Sequence, residues 1–347
     1  MMQWLSRQAQ QPDVIFYQKA LNRQQKLTKP VGSLGVLEDL AVRLAAMQKT
    51  DKPAIERIWV TVFAADHGIA EEGVSAFPQI VTTEMVKNFL KGGAAVNVLS
   101  RWVKAQFEVV DVGLLNPIHL TGLVINRAGE GTANFAKQAA MTDKQMQQAL
   151  VAGKAAVERA IEQKSQLFIG GEMGIANTTS ASAIAVAITG LSVTQLTGAG
   201  TGIAVKAIEH KANIIAHALT FHQQHLDSPF KILQYLGGFE IVALTGSYIF
   251  AAQQGLAILI DGFISSVAAL LAVTINPSIQ PWLFYAHQSQ EKGHKLILEY
   301  LKVRPLLDLD MRLGEGSGAV SAVPLLQMAC KLHNEMATFE QAKITKN

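Results

Sequence analysis

Cysteine is almost missing from this chain. Cys330 is the only one in 347 residues, so neither an internal disulfide framework nor a multi-cysteine zinc site can be built. It lies in the apolar run 325–332, which marks it as a buried core thiol and fits a reducing, cytoplasmic setting. A dominant charge is missing too. The 30 basic and 27 acidic residues leave a formal net charge of +3. No dense basic run is present, which argues against a nucleic-acid partner. Charged residues make up 16% of the chain and hydrophobic ones 49%, the composition of a core-rich globular protein. The first eight residues turn polar too soon for the apolar region of a signal peptide. The most membrane-like stretch, 255–275, is interrupted by Asp261 and Gly262, and a central aspartate is costly in a spanning helix. No membrane association is expected. A GxxxxGK[ST] loop is absent, which argues against triphosphate hydrolysis, and no HExxH motif occurs. His287 and His294 stand seven residues apart, so hydrogen-bonded structural roles are expected for them and no metal. Internal repeats, low-complexity tracts and linkers are also lacking.

What the chain does contain is an alternation of apolar strand and helix. Residues 58–65 form a continuous apolar run, the pattern of a strand buried on both faces, and end in Asp66-His67-Gly68. Further strands are read at 107–113, 166–174, 256–260 and 282–286. Helical spacing covers 39–47, 82–90, 92–99, 142–164, 177–188, 241–252, 265–273 and about 319–343, with Thr142 and Asp143 able to cap the fourth of these. Pro324 is expected in a first turn or at a kink. A basic amphipathic helix with Lys206, His210 and Lys211 follows the glycine loop 197–202. That loop resembles a dinucleotide fingerprint only superficially, since no clear strand precedes it. The alternation predicts an α/β fold, a mostly parallel Rossmann-like sheet flanked by helices, with its site at the strands' carboxyl edge.

The stretch 305–319 concentrates the chemistry. Leu307, Leu309, Met311 and Leu313 alternate with Asp308, Asp310 and Arg312, the period of an extended segment with one buried face. It runs into Gly314-Glu315-Gly316-Ser317-Gly318 and then a helix-like run. Glycines allow close approach of a ligand to the main chain, and a helix start offers N–H groups to an anion. An acid held there suits a general base or a charge stabiliser; an ordinary turn with a solvated glutamate is the other reading. Glu172 is a second acid among glycines, at the end of strand 166–174, and Asn177 to Ser180 supply polar side chains at a helix start. Read alone, Lys211 is a solvated helix lysine.

Taken in order, KPVGSLG (29–35), AADHGIAEEGVSAFPQ (64–79), NFLKGGAAVNVLSR (88–101), VVDVG (109–113), GTANF (131–135), GGEMGIANTT (170–179), TGAGTG (197–202), GGFE (237–240), DGFI (261–264), HQSQEKGH (287–294) and MRLGEGSGA (311–319) resemble the nicotinate-nucleotide–dimethylbenzimidazole phosphoribosyltransferase family over nearly the whole chain. The resemblance implies transfer of the phosphoribosyl group of nicotinate mononucleotide to 5,6-dimethylbenzimidazole, with inversion, giving alpha-ribazole 5'-phosphate and nicotinate for cobalamin nucleotide-loop assembly. It makes Glu315 the base. It places Glu172 beside the acceptor or the ribose. It assigns the phosphate to backbone N–H groups around Gly174, Asn177 and Thr178 and around Gly314, Gly316 and Ser317, with the side chains of Lys211 and Ser289. Ser75, Phe77, Gln79 and Leu313 are the acceptor candidates, with Met173 beside them. Asp66 and Asp261 are expected to orient loops. The reaction needs no cofactor or metal. The resemblance further implies a homodimer and a small helical domain from both chain ends, 1–50 with 325–347, beside an α/β catalytic domain, 51–324. Ala199 stands where an arginine is common, removing one phosphate contact, and Ala176 where a glycine is common, stiffening its loop. The competing readings are a hydrolase or phosphorylase acting on the same ribosyl phosphate, and a non-catalytic nucleotide- or azole-binding protein.

Overall fold

The computed structural model describes residues 2–198, 200 and 205–344. The N-terminal part contains α1 (Val14–Lys26), α2 (Val36–Gln48), β1 (Ile58–Ala65), α3 (Ile80–Lys91), α4 (Ala95–Trp102), β2 (Gln106–Gly113) and β3 (Leu123–Ile125). The middle contains α5 (Asp143–Glu162), β4 (Leu167–Met173), α6 (Asn177–Thr189), α7 (Val193–Leu196), α8 (Val205–His222) and α9 (Pro229–Leu236). Then follow α10 (Phe239–Gln253), β5 (Ala257–Ile260), α11 (Phe263–Ile275), β6 (Leu283–Tyr285), α12 (His294–Leu301) and α13 (Ser317–Glu335). No helix among the described residues is long and apolar enough to cross a membrane.

All six strands run parallel, in the order β3-β2-β1-β4-β5-β6. This is the doubly wound order, whose switch point lies between β1 and β4. Every residue of β1 is buried, as its apolar run requires of a strand with neighbours on both sides. Helix α10 is apolar around its whole circumference and correspondingly buried on nearly every face. It packs on α5 with backbone against backbone: a Cβ on Gly153 would collide with Ala243 O, and one on Gly246 would lie 2.6 Å from Leu150 O.

The two chain ends meet. Arg23 of α1 donates from Nε to His333 O at 2.6 Å and from Nη2 to Asn334 O and Met336 O at 3.1 and 3.3 Å. A cation on the last carbonyls of α13 also complements the helix dipole. Phe339 N–H donates to Lys26 O, and Leu27 pairs with Thr338.

Three local expectations are corrected. Strand β3 was not anticipated; three residues carry no readable period. The helix expected over 92–99 starts at Ala95, because Gly92 takes a φ of +77° and ends α3. Pro324, expected in a first turn or at a kink, lies inside α13, which excludes only the first of the two places. The alternation at 307–313 does not bury one face. Leu309 and Leu313 are exposed, and Leu307 and Met311 only half-buried. This segment runs past the sheet's edge, where no further layer of described residues covers it. What holds it is a ladder to the chain after β6: Gln288 N–H to Leu307 O, Gln290 N–H to Met311 O, and Gln290 Nε2 to Asp310 at 2.8 Å.

The Arg23 contacts yield a stability prediction. Arg23→Ala removes three hydrogen bonds from a charged donor, each partly solvated, and should cost about 2 kcal/mol. Urea denaturation would register this as a lowered midpoint with an unchanged slope.

Candidate active site

The carboxyl ends of the central strands carry most of the buried polar side chains in this part of the fold. Asp66 and His67 follow β1, Glu172 lies near the end of β4, Asp261 follows β5 and His287 follows β6. Above β4 sits the loop Gly314-Glu315-Gly316. A Cβ on Gly171 would collide with Glu315 O, and one on Gly314 would collide with Glu172 Oε1. Strand and loop therefore touch through glycine from both sides. Asp261 fastens the loop: its Oδ2 accepts from Gly316 N–H at 3.1 Å and its Oδ1 from Ala319 N–H at 2.7 Å. The expected loop-orienting role of Asp66 has a matching contact, with Oδ2 accepting from Leu115 N–H at 2.7 Å.

Glu315 has a φ of +69°, a left-handed conformation that costs a side-chain-bearing residue about 1–2 kcal/mol. Its residue exposure is 6%, and Oε2 has no hydrogen-bond partner among the described residues. Burial raises its pKa; the Val96 N–H in the first turn of α4 opposes that rise, and the charge of Asp261 adds to it. Glu172 is pushed well above the carboxylate range, by burial first and then by Glu240 and Asp261; the Asn177 amide and the Glu315 N–H oppose. Asn177 Nδ2 donates a short bond to Glu172 Oε2. The Glu315 N–H thus reaches Glu172, and both acids are disposed to hold a proton more tightly than a solvated carboxylate.

A second group gathers around α8. Lys211 is wholly buried, which excludes the solvated-lysine reading. Its Nζ donates to Thr178 Oγ1 at 2.7 Å and to Gly198 O at 3.5 Å. Burial lowers its pKa to about 8 against the opposing charge of Glu291. Glu291 accepts from Gly200 N–H, and its own N–H donates to Ser289 Oγ at 3.2 Å. Ser289 N–H in turn donates to His294 Nδ1 at 2.8 Å. That bond leaves Nε2 to carry the neutral ring's proton toward Ser266 Oγ, 2.9 Å away, and burial lowers the pKa of His294 to about 3. Lys211, Thr178 and Ser289 are therefore assembled around one loop, and Asn177 joins this group to the Glu172 side. Ala199 lies outside the described residues.

Several expected contacts are already used internally. Gly316 N–H goes to Asp261, Ser317 N–H to Gly314 O and Asn177 N–H to Gly174 O. These amides build their own helix starts instead of facing a ligand. Ala176 takes a φ of +76° immediately before α6, so the position where the family commonly has glycine keeps the left-handed conformation with an alanine. Of the acceptor candidates, Phe77 and Leu313 are 51% and 47% exposed, and the expected enclosed apolar slot is not formed by them within this chain. Ser75 Oγ accepts from Phe77 N–H at 3.3 Å, Gln79 Nε2 donates to His67 O at 3.1 Å, and Met173 is half-buried. Sequence reasoning missed three participants: Glu291, the α4 start at Val96, and Glu240, which pairs with His67 at 2.6 Å. Only GGFE, as a turn before a helix, hinted at the last. His287, expected to be hydrogen-bonded, has both ring nitrogens without a partner among the described residues, with Asp261 Oδ1 3.8 Å from Nε2.

The chain matches a family described as phosphoribosyltransferase over residues 9–344. It is 54% identical over 333 residues to a nicotinate-nucleotide–dimethylbenzimidazole phosphoribosyltransferase of Pseudomonas fluorescens, covering 96% of this chain and 95% of that one. A Pseudomonas putida protein of the same name is 52% identical over 340 residues, covering 97% of each. The crystal structure of nicotinate-nucleotide–dimethylbenzimidazole phosphoribosyltransferase from Thermus thermophilus superposes with a TM-score of 0.91 at 41% identity, over 96% of this chain and 100% of that chain. The strand order, the paired acids at the switch point and these full-length likenesses agree: the chain belongs to the nicotinate-nucleotide–dimethylbenzimidazole phosphoribosyltransferase family.

Proposed function

We propose that this chain transfers the phosphoribosyl group of nicotinate mononucleotide to 5,6-dimethylbenzimidazole, releasing nicotinate and forming alpha-ribazole 5'-phosphate, with Glu315 as the base. The observation that carries the assignment is the Glu315 carboxylate itself, buried, with one oxygen uncommitted among the described residues. In this reaction one azole nitrogen attacks the anomeric carbon. The bond to the pyridinium nitrogen breaks, and its electron pair leaves with nicotinate, so the leaving group needs no acid. The azole's other nitrogen gives up its proton, and Glu315 takes it. A raised carboxylate pKa improves that transfer near neutral pH. Glu172 lies beside Glu315 and serves to steady positive charge on the ribose or to meet the acceptor's edge. Lys211, with Thr178 and Ser289, is assigned to the phosphate; a desolvated lysine amine is a strong partner for a dianion once protonated.

A homodimer belongs to the same proposal and is favoured by Val98 and Trp102, both exposed and one helical turn apart on α4. Phe77 and Leu313 would then be covered only once the assembly and the acceptor are in place. The division into a helical unit from both chain ends and an α/β unit, and a cytoplasmic location, are proposed with it. Light scattering should give twice the 37.4 kDa chain mass.

Two measurements test the chemistry. Chromatography of products from nicotinate mononucleotide and 5,6-dimethylbenzimidazole should show ribazole phosphate with the wild type. Glu315→Gln should lower kcat by about 10³-fold, the range of a lost general base, without lowering the thermal midpoint, because it removes a buried charge. Nicotinate release by the wild type at the same rate without any azole would make the protein a hydrolase. The pH profile of kcat/KM reports the free enzyme. It should rise on the acid side above the ordinary carboxylate range, as Glu315 loses its proton. It should fall near pH 8 as Lys211 loses its own. In Lys211→Arg the alkaline limb should vanish, and its persistence would detach that limb from Lys211.

A further inference from the structure

His67 is wholly buried just beyond β1 and joins elements that the reaction would hold apart. Its Nε2 lies 2.6 Å from Glu240 Oε1, in the first turn of α10, and its Nδ1 lies 3.2 Å from Ser180 Oγ in α6. Two turns are cut away to admit the ring. A Cβ on Gly174 would come within 3.1 Å of it, and one on Gly238 would collide with Cε1. The His67 main-chain oxygen accepts from Gln79 Nε2 at 3.1 Å. One residue therefore sits between the loop 71–79 and the turn 174–176 that leads into α6. His67 and Glu240 are both fully shielded from solvent, so any effect on substrate passes through those neighbours. A buried ionisable pair is also a poor source of stability, since removing it from water offsets most of the attraction.

We propose that His67, anchored by Glu240, is a positioning residue that fixes the spacing between the azole-side loop and the ribosyl-phosphate-side turn. The inference rests on the transferase reading, which places Gln79 on the azole side and Gly174 on the ribosyl side. Transfer requires the azole nitrogen to stand in line with the anomeric carbon, and a misplacement of about 1 Å is enough to cost roughly 10²-fold in rate. Slack at this joint has a chemical signature. Water reaches the anomeric carbon before the azole is aligned, the glycosidic bond breaks, nicotinate leaves with the electron pair, and water loses a proton to give ribose 5-phosphate. Loose spacing thus diverts the ribosyl group, whereas simple loss of folded protein lowers both outcomes together.

The test follows nicotinate, ribazole phosphate and ribose 5-phosphate in one assay with nicotinate mononucleotide and 5,6-dimethylbenzimidazole. Wild type should release one nicotinate per ribazole phosphate. Glu240→Leu removes the anchor; transfer should fall ten-fold or more, ribose 5-phosphate should accumulate, and KM for nicotinate mononucleotide should stay within three-fold. Glu240→Gln keeps an oxygen for the His67 Nε2–H and should restore a ratio of one. Ser180→Ala, which removes only the second ring contact, should show the same diversion more weakly and serves if Glu240→Leu does not fold. Variants that stay folded and lose transfer without any ribose 5-phosphate, or that match wild type, overturn the inference alone. A wild type that makes only ribose 5-phosphate overturns the transferase reading and this inference with it.

Discussion

Asp261 makes two hydrogen bonds on which the geometry of the site depends. Its carboxylate stands at the end of β5 and accepts from Gly316 and Ala319, the opening amides of α13. Strand β5 is buried along its whole length, so a side chain at its end is a fixed point. An anion at a helix start is favoured both by the free amides and by the helix dipole. The loop that carries Glu315 is thereby clamped between a strand end and its own helix, over a strand that offers glycine at the contact. Because α13 is also gripped at its far end by Arg23, the position of Glu315 is set from both ends of one helix. The left-handed conformation of Glu315 is held by flanking backbone committed elsewhere, Gly316 N–H to Asp261 and Gly314 O to Ser317 N–H.

The same arrangement carries an electrostatic cost. Glu172, Asp261 and Glu315 all have pKa values raised by burial; Glu172 also feels the charges of Glu240 and Asp261, and Glu315 that of Asp261. A carboxyl group whose folded pKa lies above its unfolded value contributes stability that is fully present below the unfolded pKa and lost as pH rises through the folded one. At neutral pH this cluster therefore works against the fold. A core spread over six strands and the helices on both faces offsets it, and on the proposed mechanism the site could not be relieved of its acids without losing the chemistry.

How much of this was legible in the sequence follows from where each piece of information lies. β1 was readable to the residue, since an apolar run interrupted only by Thr61 leaves no other interpretation. The glycine-flanked acids were readable as a pair of special loops. The placement of Lys211 was not, because burial of one lysine depends on α6 and the turn at Gly198, which come from elsewhere in the chain. The period at 307–313 misled for a related reason: alternation reports which side chains share a face, but not whether another layer covers that face. His67 was visible as a polar residue after a strand, yet its partner Glu240 lies 173 positions away, and no local pattern connects them.

Helix α6 shows how charge is sorted across the site. Asn177 bonds Glu172, and the next residue, Thr178, bonds Lys211. Successive residues of a helix point about 100° apart, so a single turn of backbone sets the direction and spacing between the acid side and the cationic side. Nicotinate mononucleotide has the complementary dipole, a pyridinium at one end of the ribose and a phosphate at the other. In the proposed reaction, bond cleavage turns the pyridinium into a neutral ring and ends its attraction to the acids, while the phosphate assigned to Lys211 would keep its hold. On that assignment the ribosyl group is retained at the moment the leaving group is let go, which is the order a transferase needs and a simple hydrolase does not.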